Sequence, residues 1–200
     1  MTATPTGKLR GPYAKSSTQR DLIIRTALEH FAQHGYHGAS MREIARAVGL
    51  SQAGLLHHFP KKADLLTAVL DSRDTVSLVA AQTAVVRAQD PLAGMIAVIE
   101  ENSSNRQLVQ MFTVLSAEAT DESHPAHEYF RQRSQLIIGL MRTGIEHAVK
   151  QGLIRPDLDL DQAARQCQAL MYGLQVQWLF DPSTDMAAHF QGLLDGFATP

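Results

Sequence analysis

The sequence predicts an all-α protein in which a small N-terminal unit of three helices precedes a larger helical part. Three observations carry this reading. Apolar residues recur at helical spacing through most of the 200 residues. No short run shows the strict alternation or β-branched enrichment of a strand. Gly, Pro and Asp breaks separate the periodic segments at helix-length intervals. With 44% apolar and 19% charged residues, the chain can bury one or two cores.

The first helix is expected to start near Ser17 or Thr18 and to carry Ile23, Ala27 and Phe31 on one face. Gly35, suited to a left-handed C-terminal cap, ends it. Ser40 is positioned to cap a short second helix, with Glu43 completing a capping box. Met41, Ile44, Ala45 and Val48 then have the spacing of one buried face, and Gly49 stops the helix. Ser51 caps a third short helix that ends by Phe59 and Pro60, so the second and third form a helix-turn-helix.

Longer helices follow. Residues 63–89 form one, broken by Asp90 and Pro91. Residues 92–120 form one or two, divided around 102–105. A break at 121–125 precedes a helix over 129–151, stopped by Gly152 and Pro156. Asp159 opens a helix that runs to Phe180, before Asp181 and Pro182. Met186, Phe190, Leu193, Leu194 and Phe197 mark a last amphipathic helix over 186–198.

Composition excludes several classes. No stretch approaches the roughly 18 to 20 apolar residues of a bilayer span. Lys8, Arg10 and Lys15 have no apolar segment after them, so no secretory leader is expected and the chain should stay in the cytoplasm. Cys167 is the sole cysteine, which rules out a disulfide framework and multi-cysteine metal sites and reads as a small core residue. The net charge of −2 hides a split. Residues 1–62 hold nine basic and three acidic side chains, a net of +6, while the nine basic and seventeen acidic side chains of the remainder give −8. A basic end of this kind suits a polyanion.

The segment 40–59, SMREIARAVGLSQAGLLHHF, is where that polyanion is expected to be read. A helix-turn-helix enters the DNA major groove by the N-terminal end of its second helix, so small and polar residues belong there with apolar ones behind. Leu55, Leu56 and Phe59 form the expected inward face. Ser51, Gln52, Ala53, Gly54, His57 and His58 face out, with Gln52 suited to an adenine edge and Ala53 to a thymine methyl. Ser40, Arg42 and Lys62 are placed for phosphates. Spacing alone leaves a generic αα-hairpin open. The cations of 7–15 precede the first helix as a non-helical arm, over residues 1–16, that either lies along phosphates or is a solvated tail.

These residues also carry a resemblance. The run from Thr18 to Leu66 resembles the N-terminal DNA-binding domain of the TetR family of bacterial transcriptional regulators. It shares the Ala-x-x-x-Phe first helix, the Gly-Tyr-x-x-x-Ser turn, Ile-Ala-x-x-x-Gly-Leu-Ser, and His-His-Phe-Pro-x-Lys. The resemblance implies a DNA-binding domain over 17–62, a recognition helix on 51–58, a phosphate-facing entry at Ser40 and Arg42, and a backbone contact from Lys62. Leu56 stands where the family usually has a Tyr that touches the DNA backbone.

Chemistry other than binding finds little support. His30 and His34, and His124 and His127, are pairs without an evident third ligand, so no metal is expected and no cofactor is implied. No nucleophile elbow, dinucleotide fingerprint or P-loop is present, and Glu118, Asp121 and Glu122 read as a solvated loop. No catalytic residue is assigned. A helical small-molecule-binding or enzymatic protein with a vestigial helix-turn-helix is the alternative, and the charge split counts against it.

The helix from Asp159 is apolar on two sides. Ala163, Cys167, Leu170, Met171, Leu174 and Trp178 form one stripe, and Ala169, Gly173, Val176 and Phe180 the other. One side can face its own domain and the other a second copy. A homodimer interface is therefore expected from Leu170, Gly173, Val176, Phe180, Phe190 and Leu194, and the resemblance implies the same last two helices. Residues 63–200 exceed what dimerisation requires, so a pocket for a small, mainly apolar effector is expected between 92 and 172. Gln110, Thr113, His127, Gln135 and Tyr172 are its candidate polar groups. The whole reads as a regulator, most simply a repressor, that grips a pseudo-palindromic DNA operator as a homodimer and lets go when the effector binds.

Overall fold

A computed structural model of the chain describes residues 12–88, 90 and 92–199, with side chains from 18 onward. It shows nine helices and no strand among the described residues: α1 (Pro12–Gly38), α2 (Met41–Ala47), α3 (Gln52–His58), α4 (Lys62–Ala88), α5 (Ala93–Ser103), α6 (Arg106–Glu118), α7 (His127–Lys150), α8 (Leu160–Phe180) and α9 (Met186–Asp195). No described helix is long and apolar enough to cross a membrane.

Two features of α1 differ from expectation. It begins at Pro12, so the last residues of the expected non-helical arm are helical, and residues 1–11 lie outside the described part. Pro at a helix start loses no intrahelical bond, because the first amides have no partner there in any case. At the other end Gly35 adopts φ 66°, ψ −174°, which breaks α1 where the sequence placed its end, and a further turn then runs to Gly38. Only Gly enters this conformation without strain, and a Cβ there would also collide with the Glu118 carboxylate.

The caps explain the other boundaries. Ser51 accepts the Gly54 amide at 3.0 Å, Asn105 accepts Leu108 at 3.1 Å, and Asp159 accepts Asp161 and Gln162, both at 3.0 Å. Ser40 starts α2 without any side-chain cap bond, so the expected Ser40–Glu43 capping box is absent. The last helix ends at Asp195 rather than 198, because the chain beyond it pairs with the loop after α7: Arg155 donates to the Phe197 carbonyl and Thr199 to that of Leu153.

Burial gathers two apolar clusters. The first joins Ile23, Ala27 and Phe31 of α1, Ile44 and Ala45 of α2, Leu55 of α3, and Leu65, Leu66, Val69 and Leu70 of α4. Met111 and Leu115 from α6, and Ala119 just after it, join them. The second is built by α5 and α7–α9 around Ile145, Cys167, Trp178 and Phe190, with Val109 of α6. Helix α6 therefore belongs to both halves, and its packing on α1 ties the helix-turn-helix to the rest of the molecule.

Candidate nucleic-acid interface

Helix α3 is fastened by one side. Leu55 is fully buried in the first cluster and Phe59, at the C-cap, is nearly so. This anchoring turns Ser51, Gln52, Ala53 and His57 to solvent, with Gly54 and His58 half exposed. Leu56 is the exception to the expected inward face. It is 38% exposed and lies beside His57, because a two-turn helix held by Leu55 and Phe59 has no inward position left between them. Helix α2 lies behind, fixed by Ile44 and Ala45, with Arg42 exposed on its outer side and Ser40 half buried. Between the two helices Gly49 takes φ 73°, which allows the tight turn.

Three cations that the sequence pattern did not single out belong to the same domain. Arg46 and Lys61 are exposed, and the Arg20 guanidinium lies over the Phe59 ring at 4.7 Å, close behind the recognition helix. The signal was available in the charge count of residues 1–62, but nothing in the spacing told these three from any solvated cation.

Lys62 is more constrained than a free phosphate contact. Its ammonium donates to the Ala39 carbonyl at 2.7 Å and to that of His37 at 3.2 Å, and lies 4.6 Å from the centre of the Tyr36 ring. Burial lowers its pKa below the ordinary lysine value, with Glu118 opposing. Two of its three donors thus hold the connection between α1 and α2, leaving one for a phosphate.

Residues 23–69 match the family described as bacterial regulatory proteins, tetR family, and residues 91–199 match the C-terminal part of BetI-type transcriptional repressors. The chain belongs to the TetR family. Among relatives, the HTH-type transcriptional regulator SrpR of Pseudomonas putida is 28% identical over 166 residues, covering 83% of this chain and 78% of that protein. UidR of Escherichia coli K12 is 24% identical over 184 residues, covering 87% and 88%. A TetR-family regulator from Agrobacterium tumefaciens superposes with a TM-score of 0.78 at 18% identity, over 92% of this chain and 99% of that one. One from Chloroflexus aurantiacus superposes at 0.77 with 22% identity, over 90% and 94%. At this identity the structures speak for the shared fold.

In this TetR-family regulator the helix-turn-helix is wired to the larger part through α6 as well as α4. The Glu118 carboxylate, expected in a solvated loop, accepts the Tyr36 amide at 2.7 Å just after the Gly35 break, and the Gln110 amide donates to the Ala32 carbonyl at 3.1 Å. Beside them His124 is buried, its Nδ1 accepting the Ala126 amide, and burial lowers its pKa. Among the described residues no group of three or more His, Cys, Asp and Glu is placed to hold a metal.

The structure does not bring the five expected effector groups together. Gln110 is spent on α1, the His127 ring Nδ1 bonds with the Ala119 carbonyl at 2.9 Å, and Gln135 is exposed. Thr113 is half buried, and Tyr172 stands edge-on to Phe112 at 5.8 Å. Two surface depressions, one between α1 and α4 and one along the first turns of α8, are lined by none of the five.

The expected dimer residues divide cleanly. Leu170 and Gly173 are half exposed, Val176 is 40% exposed and Phe180 87%, whereas the opposite stripe of α8 is buried. Phe190 and Leu194 are corrected: both are buried in the second cluster, because α9 turns its whole apolar stripe onto α5 and α8. The outer side of α9 offers Ala188 and Gly192 instead.

Proposed function

We propose that this protein is a repressor that binds a pseudo-palindromic operator as a homodimer and is released by a small effector. The supporting observation is the face of α3, where Ser51, Gln52, Ala53 and His57 stand clear of the core on a helix held rigidly by Leu55. Such a face reaches base edges in a major groove, with Arg42, Arg46 and Lys61 on either side for phosphates. The similarity of residues 91–199 to BetI-type repressors supports repression. NalD of Pseudomonas aeruginosa, a structural neighbour with a TM-score of 0.67, is itself described as a secondary repressor of a multidrug efflux pump.

Pairing through the outer face of α8 supplies the two-fold symmetry. An apolar row ending in an almost bare Phe180, with open space at Gly173 for close approach, fits contact with a second copy. Release follows when an effector binds more tightly to the arrangement that does not fit the operator, since equal affinity for both shifts nothing. Movement of α4 reaches the connection between α1 and α2 through Lys62, and movement of α6 reaches the end of α1 through Glu118.

Selecting bound duplexes from a random pool tests the reading. The expected product is an inverted repeat with half-sites about 10 base pairs apart or a multiple of that. Recovery of no enriched site, or of one without symmetry, would overturn it.

A further inference from the structure

Helices α4, α6 and α7 converge on a charged group that DNA binding does not use. The side chains of Arg73 and Arg133 are 2% and 6% exposed, and both guanidinium groups lie over the Phe112 ring, 4.1 and 4.7 Å from its centre. Both donate to the same oxygen of Asp74, Arg73 Nη1 at 3.1 Å and Arg133 Nε at 2.8 Å, while the other oxygen accepts the Tyr129 hydroxyl at 2.5 Å. Asp74 is the one carboxylate acting on either arginine among the described residues. Burial, with Arg133 adding to it, pushes Arg73 down to about 10, which still leaves it charged at neutral pH. Burial pushes Tyr129 up, so the phenol contributes no negative charge. Two buried cations therefore share one anion.

The bonding is short by the same measure. Arg73 Nε, Arg133 Nη1, Ser77 Oγ and both amide atoms of Asn102 are buried without a hydrogen-bond partner. The packing of α5 on α4 brings Asn102 to the level of Arg73 and Ser77. Gly94 near the start of α5 lies against Ala81 and Val85 of α4, where a Cβ would touch both. The two helices fold back on each other across a short connection. Eight residues farther along α5, about 12 Å, is Asn102. Eight residues back along α4 from Ala81 and Val85 are Arg73 and Ser77. Tyr172 of α8 acts on Arg133 and meets the Phe112 ring. Buried donors without acceptors are costly, most of all on charged groups, and so many around a surplus positive charge indicate a missing anion.

We infer that this is where the effector binds, and that it is a small monoanion whose carboxylate is held by Arg73, Arg133, Ser77 and Asn102. This rests on the effector-responsive reading above. One negative charge cancels the surplus, whereas a dianion would exceed it. The planar guanidinium fork matches a carboxylate. The half-buried Tyr172 is the aromatic group open to an apolar body, and α5 and α7 continue from the site with Ile99 and Ile137.

Thermal unfolding of the full-length protein at constant ionic strength, with acetate, hexanoate and benzoate each set against its neutral amide, tests the site. The expected result is a saturable rise in Tm of at least about 2 °C with one or more carboxylates and none with the matching amide. Arg133→Met should abolish the rise. Asn102→Leu, which removes no bond made within the protein, should fold normally and still weaken the rise at least tenfold in ligand concentration. Equal effects of acid and amide, no effect of any carboxylate, or a full rise in Asn102→Leu and Arg133→Met would overturn the site. A gel shift with the selected operator separates the two readings. Stabilisation by a carboxylate that leaves the operator complex intact keeps the anion site and removes its effector role. Release by the amides alone keeps effector control and removes the anion site.

Discussion

At the scale of single residues, the outcome of a substitution depends on what each side chain already holds. Gln52→Ala and His57→Ala remove groups that touch nothing needed for folding, so each should cost about 1 to 3 kcal/mol of specific operator binding with no change in thermal stability. Lys62→Ala should weaken all duplexes alike and reduce the slope of log affinity against log salt by about 1. Unlike the other two it should also lower Tm, because two carbonyls at the end of α1 lose their donor. Titrating specific and random duplexes with each variant checks the division. Asp74 gives a pH prediction. Burial alone would raise its carboxyl, yet Arg133 and the hydrogen bonds from Arg133 and Tyr129 hold it below the ordinary value. Its stabilising contribution is therefore present above the unfolded value of about 3.9 and is lost as pH falls through the lower native one. Asp74→Asn should cost about 2 to 3 kcal/mol at pH 7, a discounted figure because a third of the side chain remains in contact with water. Urea unfolding at pH 7 and pH 3 should show the wild type and variant converging at the lower pH.

At the scale of elements, α8 and α9 make opposite predictions from similar apolar patterns. Val176→Asp alters an exposed position and should yield folded monomers that no longer hold the operator, measured by light scattering beside circular dichroism. Phe190→Ala empties a fully buried site and should instead lower stability by about 3 to 5 kcal/mol, whatever the oligomeric state. The sequence could not separate them, since a stripe at i, i+4 and i+7 says that a face is covered but not by which chain. Helix α8 was legible because two stripes cannot both pack on one domain. The open side of α3 was legible for a related reason, since Leu55 and Phe59 flank residues too polar for a core. Leu56 was misplaced because periodicity has little power over seven residues. The Arg73 and Arg133 site went unread because isolated charges look solvated in sequence. A usable sign was present, however. Arg133 falls in the row Tyr129, Arg133, Ile137, Met141, Ile145, and Arg73 follows Leu66, Val69 and Leu70, so each charge interrupts an otherwise apolar face.

At the scale of the whole molecule, the charge split and the apolar α8 face assign two functions to two kinds of force. On the proposed reading the +6 of residues 1–62 holds an operator by displacing its counterions, so affinity should depend steeply on salt. The proposed pairing through Val176, Phe180 and the open surface at Gly173 would depend on apolar burial, which salt leaves unharmed or strengthens. Raising salt from about 50 to 200 mM should therefore weaken operator binding by roughly a thousandfold or more while the protein remains dimeric. Fluorescence anisotropy of a labelled operator and sedimentation of the protein alone, at the same salt concentrations, measure the two independently. Dissociation of the dimer in step with loss of the operator would show instead that charge holds the subunits together, and α8 would lose its assigned role.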